Sequence, residues 1–503
     1  MQTKTFTLKS IITAFFIISS LVLLGQYDTQ NTALDAMIEK GIVDWEIPAL
    51  SVLVLKDGNA VYKKTYGIKN IKSKEAANNE TMFTMASTTK ALVAMGMAML
   101  VDEGKVKWED KVRMHYPQFK LSNAYITEDA RIKDLFTHNL GIGNADWIWY
   151  ARDLNTAETI EKFAQAPQVH PLRGGYKYQN MAYVIAGEVI KKISGKPWQD
   201  FLNERIFKPL NMNRTAAVSK NILALGNVAR PHYNDLDEGI IPINYAFFDQ
   251  AGAAGMLYSC IDDIEKYLSF INNKGILNGD TLIKASTFEY LFSPKIIIEN
   301  GFYPSTIFTK PKWKSYAMGW FQHDYKGMKV DFHTGSIDGF VAIHGWLRDQ
   351  NLGVYVFSNL DGAELRHAIM YKVFDLYALG GDTDWHKNIF DLYDGFKQEN
   401  IKSLELVERS RVRHTKPSKF ISAYNGIYTH PMFGKITIKT GKNNLSASLN
   451  DKYDLTLNHW HYDTFRSNVQ TQWRERVMIR FEMDENGNIT GLFFKGKEYK
   501  KKQ

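Results

Sequence analysis

Cysteine is almost absent from this chain of 503 residues, which contains only Cys260. A single cysteine cannot form an intramolecular disulfide, so the sequence excludes the class of small secreted folds that disulfides hold together. The sequence also lacks low-complexity tracts and internal repeats, which excludes solenoids and repeat arrays. It contains no nucleic-acid-binding module, so nucleic acid is not an expected partner.

The longest predominantly apolar run lies at the N-terminus, over residues 11–24. It follows Lys4 and Lys9, and it is shorter than the roughly 20 residues that a membrane-spanning helix needs. A basic start before a short apolar run is typical of a secretory signal. We therefore expect a signal peptide over 1–25 and an exported protein, periplasmic or secreted and bacterial; an uncleaved anchor is the alternative.

Acidic residues are scarce in the last part of the chain. Residues 411–503 contain 17 Lys and Arg against 8 Asp and Glu, whereas the remaining residues contain 45 against 46. The net charge of +8 therefore originates in this segment. Four interpretations stay open: a solvated basic face, contact with an anionic envelope surface, restriction of a substrate pocket, or self-association through the C-terminal segment.

Strand patterns occur at two distant places in the first part of the chain. Residues 45–67 predict two strands joined by a Lys56-Asp57-Gly58 turn, and alternating apolar residues return over 318–360. Helical patterns lie between them, including segments that begin at Ser87, cover 134–142, and cover 177–195. This order predicts an α+β domain whose antiparallel sheet joins both ends of the domain, with helices flanking it and forming a helical subdomain.

A second domain follows. We expect the first domain over 27–384, a polar helical linker over 385–412, and a small all-β barrel over 413–503. Short alternating segments separated by turns such as Asn486-Gly487 predict the barrel.

Two short motifs carry the candidate chemistry: Ser87-Thr88-Thr89-Lys90 (S-x-x-K) and Tyr178-Gln179-Asn180 (Y-x-N). Residues i and i+3 of a helix lie on one face, so the Lys90 amine can reach the Ser87 hydroxyl. At a helix N-terminus, backbone amides stabilise a negatively charged oxygen. A lysine acts there as a base only if burial or neighbouring positive charge lowers its pKa towards neutrality.

A third motif must come from a strand, and two segments compete for this position. His333-Thr334-Gly335 precedes a strand of the first domain, whereas Lys439-Thr440-Gly441 lies at a predicted hairpin turn of the barrel. Thr-Gly is ordinary in such a turn, so we favour the segment at 333–335.

The order S-x-x-K, Y-x-N and H-T-G resembles the motif set of serine β-lactamases and penicillin-binding proteins. The tyrosine and histidine variants are similar to the class C β-lactamase-related family, which includes D,D-peptidases, D-aminopeptidases and esterases. The resemblance covers residues 30–380 and rests on five separated blocks in family order, among them "FTMASTTKALVAMGMAMLVDEG", "YKYQNMAYVIAGEVIKKISGKPW" and "AGAAGMLYSCIDDIEKYLSFI". The C-terminal segment resembles the lipocalin-like barrel that often follows this domain.

The resemblance implies a role for each matching residue. Ser87 would be the acylated nucleophile, Lys90 its base and Tyr178 the group that moves the proton to the leaving group, although which of Lys90 and Tyr178 is the primary base stays open. Asn180 would hold the amide of the substrate. The backbone amides of Ser87 and Ser336 would form the oxyanion hole.

The strand residues His333, Thr334 and Gly335 would line the substrate site. Histidine replaces the lysine that is frequent at position 333, and a histidine of ordinary pKa is mostly neutral at pH 7. We therefore expect weak recognition of the β-lactam carboxylate. Gln179 replaces a frequent serine, and we expect it to face away from the site and to change little.

These observations predict an exported serine hydrolase that forms an acyl-enzyme on Ser87 and cleaves a small amide or a D-amino-acid peptide. The predicted enzyme uses no metal and no organic cofactor, and its partner is a small-molecule or peptide substrate. A carboxylesterase and a protein that binds β-lactams or another ligand with little turnover are the alternatives.

Overall fold

The computed structural model describes residues 27–217, 222–300, 302–442, 444–470, 472 and 474–502. The predicted signal peptide, residues 1–25, lies outside the described residues. The strands are, in chain order, β1 (Ala49–Lys56), β2 (Asn59–Gly67), β3 (Phe83–Thr84), β4 (His232–Asp235), β5 (Gly239–Pro242), β6 (Tyr258–Ser259), β7 (Ile276–Leu277), β8 (Asp280–Thr281), β9 (Ile296–Ile297), β10 (Lys314–Tyr316), β11 (Phe321–Tyr325), β12 (Met328–Ile337), β13 (Phe340–Leu347), β14 (Leu352–Ser358), β15 (Gly426–His430), β16 (Gly434–Thr440), β17 (Leu445–Leu449), β18 (Tyr453–His461), β19 (Thr464–Ser467), β20 (Met478–Met483), β21 (Ile489–Phe494) and β22 (Lys497–Lys501).

Helices pack against the strands of the first domain, and further helices form a separate layer beside the Ser87 segment. They are α1 (Asp28–Asp44), α2 (Thr89–Asp102), α3 (Val112–His115), α4 (Ala124–Asp129), α5 (Trp147–Tyr150), α6 (Thr156–Phe163), α7 (Asn180–Ser194), α8 (Trp198–Leu202), α9 (Gly252–Gly255), α10 (Ile261–Asn272), α11 (Ala285–Phe292), α12 (Leu365–Phe374) and α13 (Trp385–Arg409). No helix within the described ranges is long and apolar enough to span a bilayer.

The central sheet has eight antiparallel strands in the order β2-β1-β14-β13-β12-β11-β10-β9. Strand β1 is buried over seven of its eight residues because its sequence, ALSVLVLK, is apolar on both faces. It pairs with β14 in a register that places Val52 opposite Val356. This pairing joins the two ends of the first domain and confirms the predicted α+β class.

Helices α2 and α7 pack against each other beside this sheet and carry the S-x-x-K and Y-x-N motifs. Thr89 to Leu100 of α2 are all buried, because this helix lies between the sheet and the helical layer. Helix α7 ends at Gly195, which adopts a left-handed conformation (φ 75°) that glycine tolerates without steric cost.

Two helical predictions need correction. Residues 134–142 do not form a helix: a short 3₁₀ turn covers Ile132–Leu135, and His138 then adopts a positive φ of 57° that breaks helical geometry. The helix predicted to begin at Ser87 begins at Thr89, because a 3₁₀ turn covers Ala86–Thr88.

The C-terminal strands β15 to β22 form a closed barrel, as the sequence predicted. Antiparallel pairing of β15 with β22 closes it, with Tyr428 opposite Lys501. Aromatic residues fill its interior, including Tyr424, Phe465 and Phe481, whose rings contact one another. The interior of the barrel is thus filled by packed side chains.

Candidate active site

The Ser87 hydroxyl lies on the short turn that leads into α2. The preceding residue, Ala86, has a φ of 45°, which is costly for a residue with a Cβ and persists only where the surrounding structure enforces it. Helix α9 supplies part of this constraint, because Gly255 packs against the backbone of Ala86. The turn therefore holds Ser87 at a fixed position beside the N-terminus of α2.

Lys90 is fully buried and lies one helical turn after Ser87. Its Nζ is 2.9 Å from Ser87 Oγ, and it donates to Asn180 Oδ1 at 2.8 Å and to the Ala254 carbonyl at 2.6 Å. Burial lowers the pKa of Lys90 to about 7, against a smaller opposing effect of the Asp146 carboxylate. A substantial fraction of this amine is therefore unprotonated near neutral pH.

Tyr178 and Asn180 stand at the N-terminus of α7, which brings Y-x-N to S-x-x-K. Lys90 Nζ lies 5.0 Å from the centroid of the Tyr178 ring. Burial raises the pKa of Tyr178 well above 10, and the nearby Ser87 hydroxyl offsets only part of that shift. The resting side chain is therefore a neutral phenol.

Two buried residues hold Tyr178 in place. The Gln179 side chain accepts from the Met181 backbone N–H at 3.1 Å and donates to the Gly143 carbonyl at 2.6 Å. The Gln179 backbone N–H donates to His138 Nδ1 at 3.0 Å, and the His138 ring lies 4.2 Å from that of Tyr178. Gln179 is thus a structural support of the site rather than the bystander that we expected.

Strand β12 passes directly behind Ser87. A Cβ added at Gly335 would lie 3.0 Å from Ser87 N and would collide with the Met85 carbonyl oxygen, so only glycine permits this approach. The next residue, Ser336, is exposed to the cleft. Beneath the strand, the buried Arg366 donates to the Gly335 carbonyl, and to Ser336 Oγ at 3.1 Å.

His333 is enclosed within the wall of the site. Its Nδ1 donates to the Thr334 carbonyl at 2.6 Å, so its Nε2 is free to accept the Tyr316 hydroxyl at 2.9 Å. Burial lowers the pKa of His333 to about 3. The His333 side chain is therefore neutral at physiological pH. The hydroxyl of the next residue, Thr334, is hydrogen-bonded to the Tyr303 hydroxyl.

Asp146 belongs to the site although sequence reasoning missed it. It accepts from Asn180 Nδ2 at 3.0 Å and from Trp149 Nε1 at 3.2 Å. Asp146 lies immediately before α5, in a loop without motif or periodicity, so no signal in the sequence pointed to it. Asp146 thus places a carboxylate next to Asn180, whose Oδ1 accepts from Lys90.

The described part of the chain contains no group of three or more His, Cys, Asp and Glu side chains that could hold a metal ion. The competing segment Lys439-Thr440-Gly441 lies at the end of β16 in the barrel, where Lys439 and Thr440 are exposed.

The fold and the site define a serine hydrolase built on an antiparallel sheet. A family model described as Beta-lactamase matches residues 34–376, and one described as a domain of unknown function (DUF3471) matches residues 410–503. Because the first match covers more than half of the chain, the protein belongs to the beta-lactamase family. This confirms the resemblance that the motifs indicated.

Curated relatives match over most of the chain. "Unguisins hydrolase ungD" from Aspergillus violaceofuscus is 25% identical over 497 residues, covering 90% of this chain and 86% of that protein. "Protein flp" from Staphylococcus aureus strain MW2 is 23% identical over 333 residues, covering 65% of this chain and 63% of that protein.

Solved structures share the fold at low identity. The octameric penicillin-binding protein homologue from Pyrococcus abyssi aligns with a TM-score of 0.61 and 20% identity, over 93% of this chain and 99% of that one. The D-amino acid amidase from Ochrobactrum anthropi SV3 aligns with a TM-score of 0.58 and 20% identity, over 69% of this chain and 98% of that one.

Proposed function

We propose that this chain is an exported serine hydrolase that forms an acyl-enzyme on Ser87 and cleaves small amides or short D-amino-acid peptides. One observation carries the proposal. A buried amine whose pKa is about 7 lies 2.9 Å from a hydroxyl oxygen, so Lys90 can accept the Ser87 proton as the oxygen attacks a carbonyl carbon.

We infer that Lys90 is the primary base. Burial keeps Tyr178 protonated, whereas burial favours the neutral form of Lys90, so Lys90 takes the proton first. As Ser87 Oγ bonds to the carbonyl carbon, the backbone amides of Ser87 and Ser336 stabilise the oxyanion. Tyr178 then donates its proton to the leaving nitrogen as the C–N bond breaks, and it recovers a proton from Lys90.

Deacylation uses the same groups. A water molecule attacks the ester carbonyl, neutral Lys90 accepts its proton, and the Ser87 oxygen recovers that proton from Lys90 as the C–O bond breaks. The products are a carboxylic acid and the free enzyme, so the cycle needs no group other than water.

The charges of the cleft favour some amides over others. His333 is neutral and enclosed, and Arg366 is committed to Glu364 and to the backbone of β12, so neither offers a cation to a substrate carboxylate. Asp146 offers a carboxylate beside Asn180. We infer that the substrate presents a free amino group rather than a carboxylate; the likeness to a D-amino acid amidase supports this inference.

A substrate panel tests the proposal. D-phenylalanine amide, a D-Ala-D-Ala peptide with a free carboxylate, nitrocefin and p-nitrophenyl acetate are offered to purified protein, and products and acyl adducts are followed by mass spectrometry. We expect the highest kcat/KM among the nitrogen-containing substrates for D-phenylalanine amide. Turnover of the ester alone would identify a carboxylesterase, and a stable nitrocefin adduct without turnover would identify a β-lactam-binding protein.

The pKa of Lys90 also predicts a pH profile. Below pH 7 the amine is protonated and cannot accept the Ser87 proton, so kcat/KM should fall about tenfold for each pH unit in that range. Above pH 7 it should level off, because the pKa of Tyr178 lies well above 10. A profile that is flat from pH 5 to pH 8 would contradict the role of Lys90. His333 does not produce the expected slope, because its pKa of about 3 leaves it neutral throughout this range.

Export is proposed from the basic and apolar N-terminal sequence. N-terminal sequencing of protein recovered from the periplasm or the medium tests it, with a mature N-terminus at Gln26 as the expected result.

A further inference from the structure

Helix α5 crosses one side of the active-site cleft. At its start, Asp146 contacts Asn180, the residue that binds Lys90. At its end, the Tyr150 hydroxyl donates to Asp338 Oδ2 at 2.6 Å, two residues beyond Ser336 on the hairpin between β12 and β13. The helix therefore links both walls of the cleft, with the α7 wall at one end and the β12 wall at the other.

The C-terminal barrel also contacts α5 and the residue that follows it. Lys452 Nζ donates to the Tyr150 carbonyl at 3.1 Å, and Asn450 Nδ2 donates to the Ala151 carbonyl at 3.0 Å. The ring of Trp147 contacts that of Phe494, with 5.9 Å between the centroids. Both ends of α5 are thus held by barrel residues, although α5 has only four residues and little stability of its own.

Polar contacts extend this interface beyond α5. Arg152 Nη1, which follows the helix, donates to the Met432 carbonyl of the barrel at 3.0 Å. Arg474 of the barrel binds the carboxylates of Asp235 and Glu238 in the first domain. The barrel therefore contacts the first domain next to α5 and also at the hairpin of β4 and β5.

One barrel side chain reaches the cleft wall itself. Gln472 Nε2 donates to Asp338 Oδ2 at 2.8 Å, and the Tyr150 hydroxyl donates to the same oxygen. Gln472 Nε2 also donates to the Asn244 carbonyl at 3.3 Å. A largely buried carboxylate that receives two donors is well fixed, and one of the two comes from the barrel.

We propose that the barrel is the outer support of the α5 wall, and that Gln472 and Lys452 are positioning residues that restrict the cleft to small substrates. Neither residue touches Ser87 or Lys90 in these contacts. Their loss should loosen the wall without changing the reactivity of Ser87. The proposal rests on the proposed function, since its readout is the covalent reaction of Ser87 with organophosphorus fluorides, in which the Ser87 oxygen bonds to phosphorus and fluoride leaves.

Two serine-directed probes of different size test it on the full chain. The small probe is diisopropyl fluorophosphate, and the bulky probe is a fluorophosphonate linked to rhodamine. The variants are Gln472→Ala and Lys452→Ala, singly and together. Each change removes one hydrogen bond to the wall, from Gln472 to Asp338 or from Lys452 to the Tyr150 carbonyl, and Lys452→Ala also removes an ion pair with the exposed Asp153. An exposed ion pair adds little, so we expect the rate with the bulky probe to rise about fivefold in each single variant and further in the double variant. The rate with the small probe should stay within about twofold of wild type.

Asn458→Ala is the matched control. Asn458 is an exposed amide of the barrel whose side chain donates to Asn468, also in the barrel, so its loss should leave both rates unchanged. Thermal unfolding of each variant verifies that it folds. The ratio of the two rates, rather than either rate alone, is the readout, because a general loss of stability would not increase reactivity towards the bulky probe selectively.

The outcomes separate the two proposals. Normal labelling with an unchanged ratio in both single variants and in the double variant would overturn the role of the barrel and leave the proposed function intact. An equal change in both rates would also overturn it, because Gln472 and Lys452 would then act on Ser87 itself. Wild-type protein that reacts with neither probe would overturn the proposed function together with the size restriction that depends on it.

Discussion

Ser87→Ala is expected to abolish covalent labelling and to lower turnover of the best substrate by at least about 10⁴-fold. The variant removes the oxygen that bonds to the substrate. The neighbouring hydroxyls of Thr88 and Thr89 are buried and already hydrogen-bonded, so they do not replace it. The backbone amide of residue 87 remains, so weak substrate binding should persist. Intact-mass measurement after incubation with an acyl donor gives the answer directly.

Ser446→Ala serves as the control for this measurement. Ser446 is an exposed serine on β17 of the barrel, and its loss should leave both the adduct and the turnover unchanged. If Ser87→Ala still forms the adduct at the wild-type rate, the nucleophile lies elsewhere and the proposed mechanism is wrong.

Much of the fold could be predicted because local patterns specify it. The apolar sequence of β1 requires burial on both faces, and only a sheet covered on both sides provides it. The i,i+3 spacing of Ser87 and Lys90 brings both side chains to one side of the 3₁₀ turn and the start of α2, wherever the helix packs. Such features depend on residues that are close in the sequence, so the amino-acid sequence alone is enough to predict them.

The remaining part of the site depends on contacts between distant segments. Asp146 meets Asn180 across 34 residues, and Gln472 meets Asp338 across 134 residues, from a different domain. Neither pair has a fixed spacing that periodicity could reveal. The enclosure of His333 by Tyr316 is similar, because the sequence identified the histidine but not the burial that lowers its pKa.

Lys90→Met is expected to lower kcat/KM by about 10³-fold and to remove the dependence of kcat/KM on pH around 7, because the variant has no lysine amine to accept the Ser87 proton.

The same substitution should make the folded protein more stable. Burial lowers the pKa of Lys90 from 10.5 to about 7, so the native state disfavours a charge that the unfolded chain carries freely. This cost is complete below pH 7 and disappears as the pH rises towards 10.5.

Methionine has a similar length and carries no charge, so Lys90→Met should raise the free energy of unfolding at pH 7, by about 1–3 kcal/mol after the lost hydrogen bonds to Asn180 and Ala254 are counted. The gain should shrink as the pH rises from 7 towards 10, and denaturant titrations at several pH values measure it. A buried lysine that served only the architecture would give the reverse result: an unchanged rate and a less stable protein. Loss of activity together with a gain in stability would identify Lys90 as a residue retained for its chemistry.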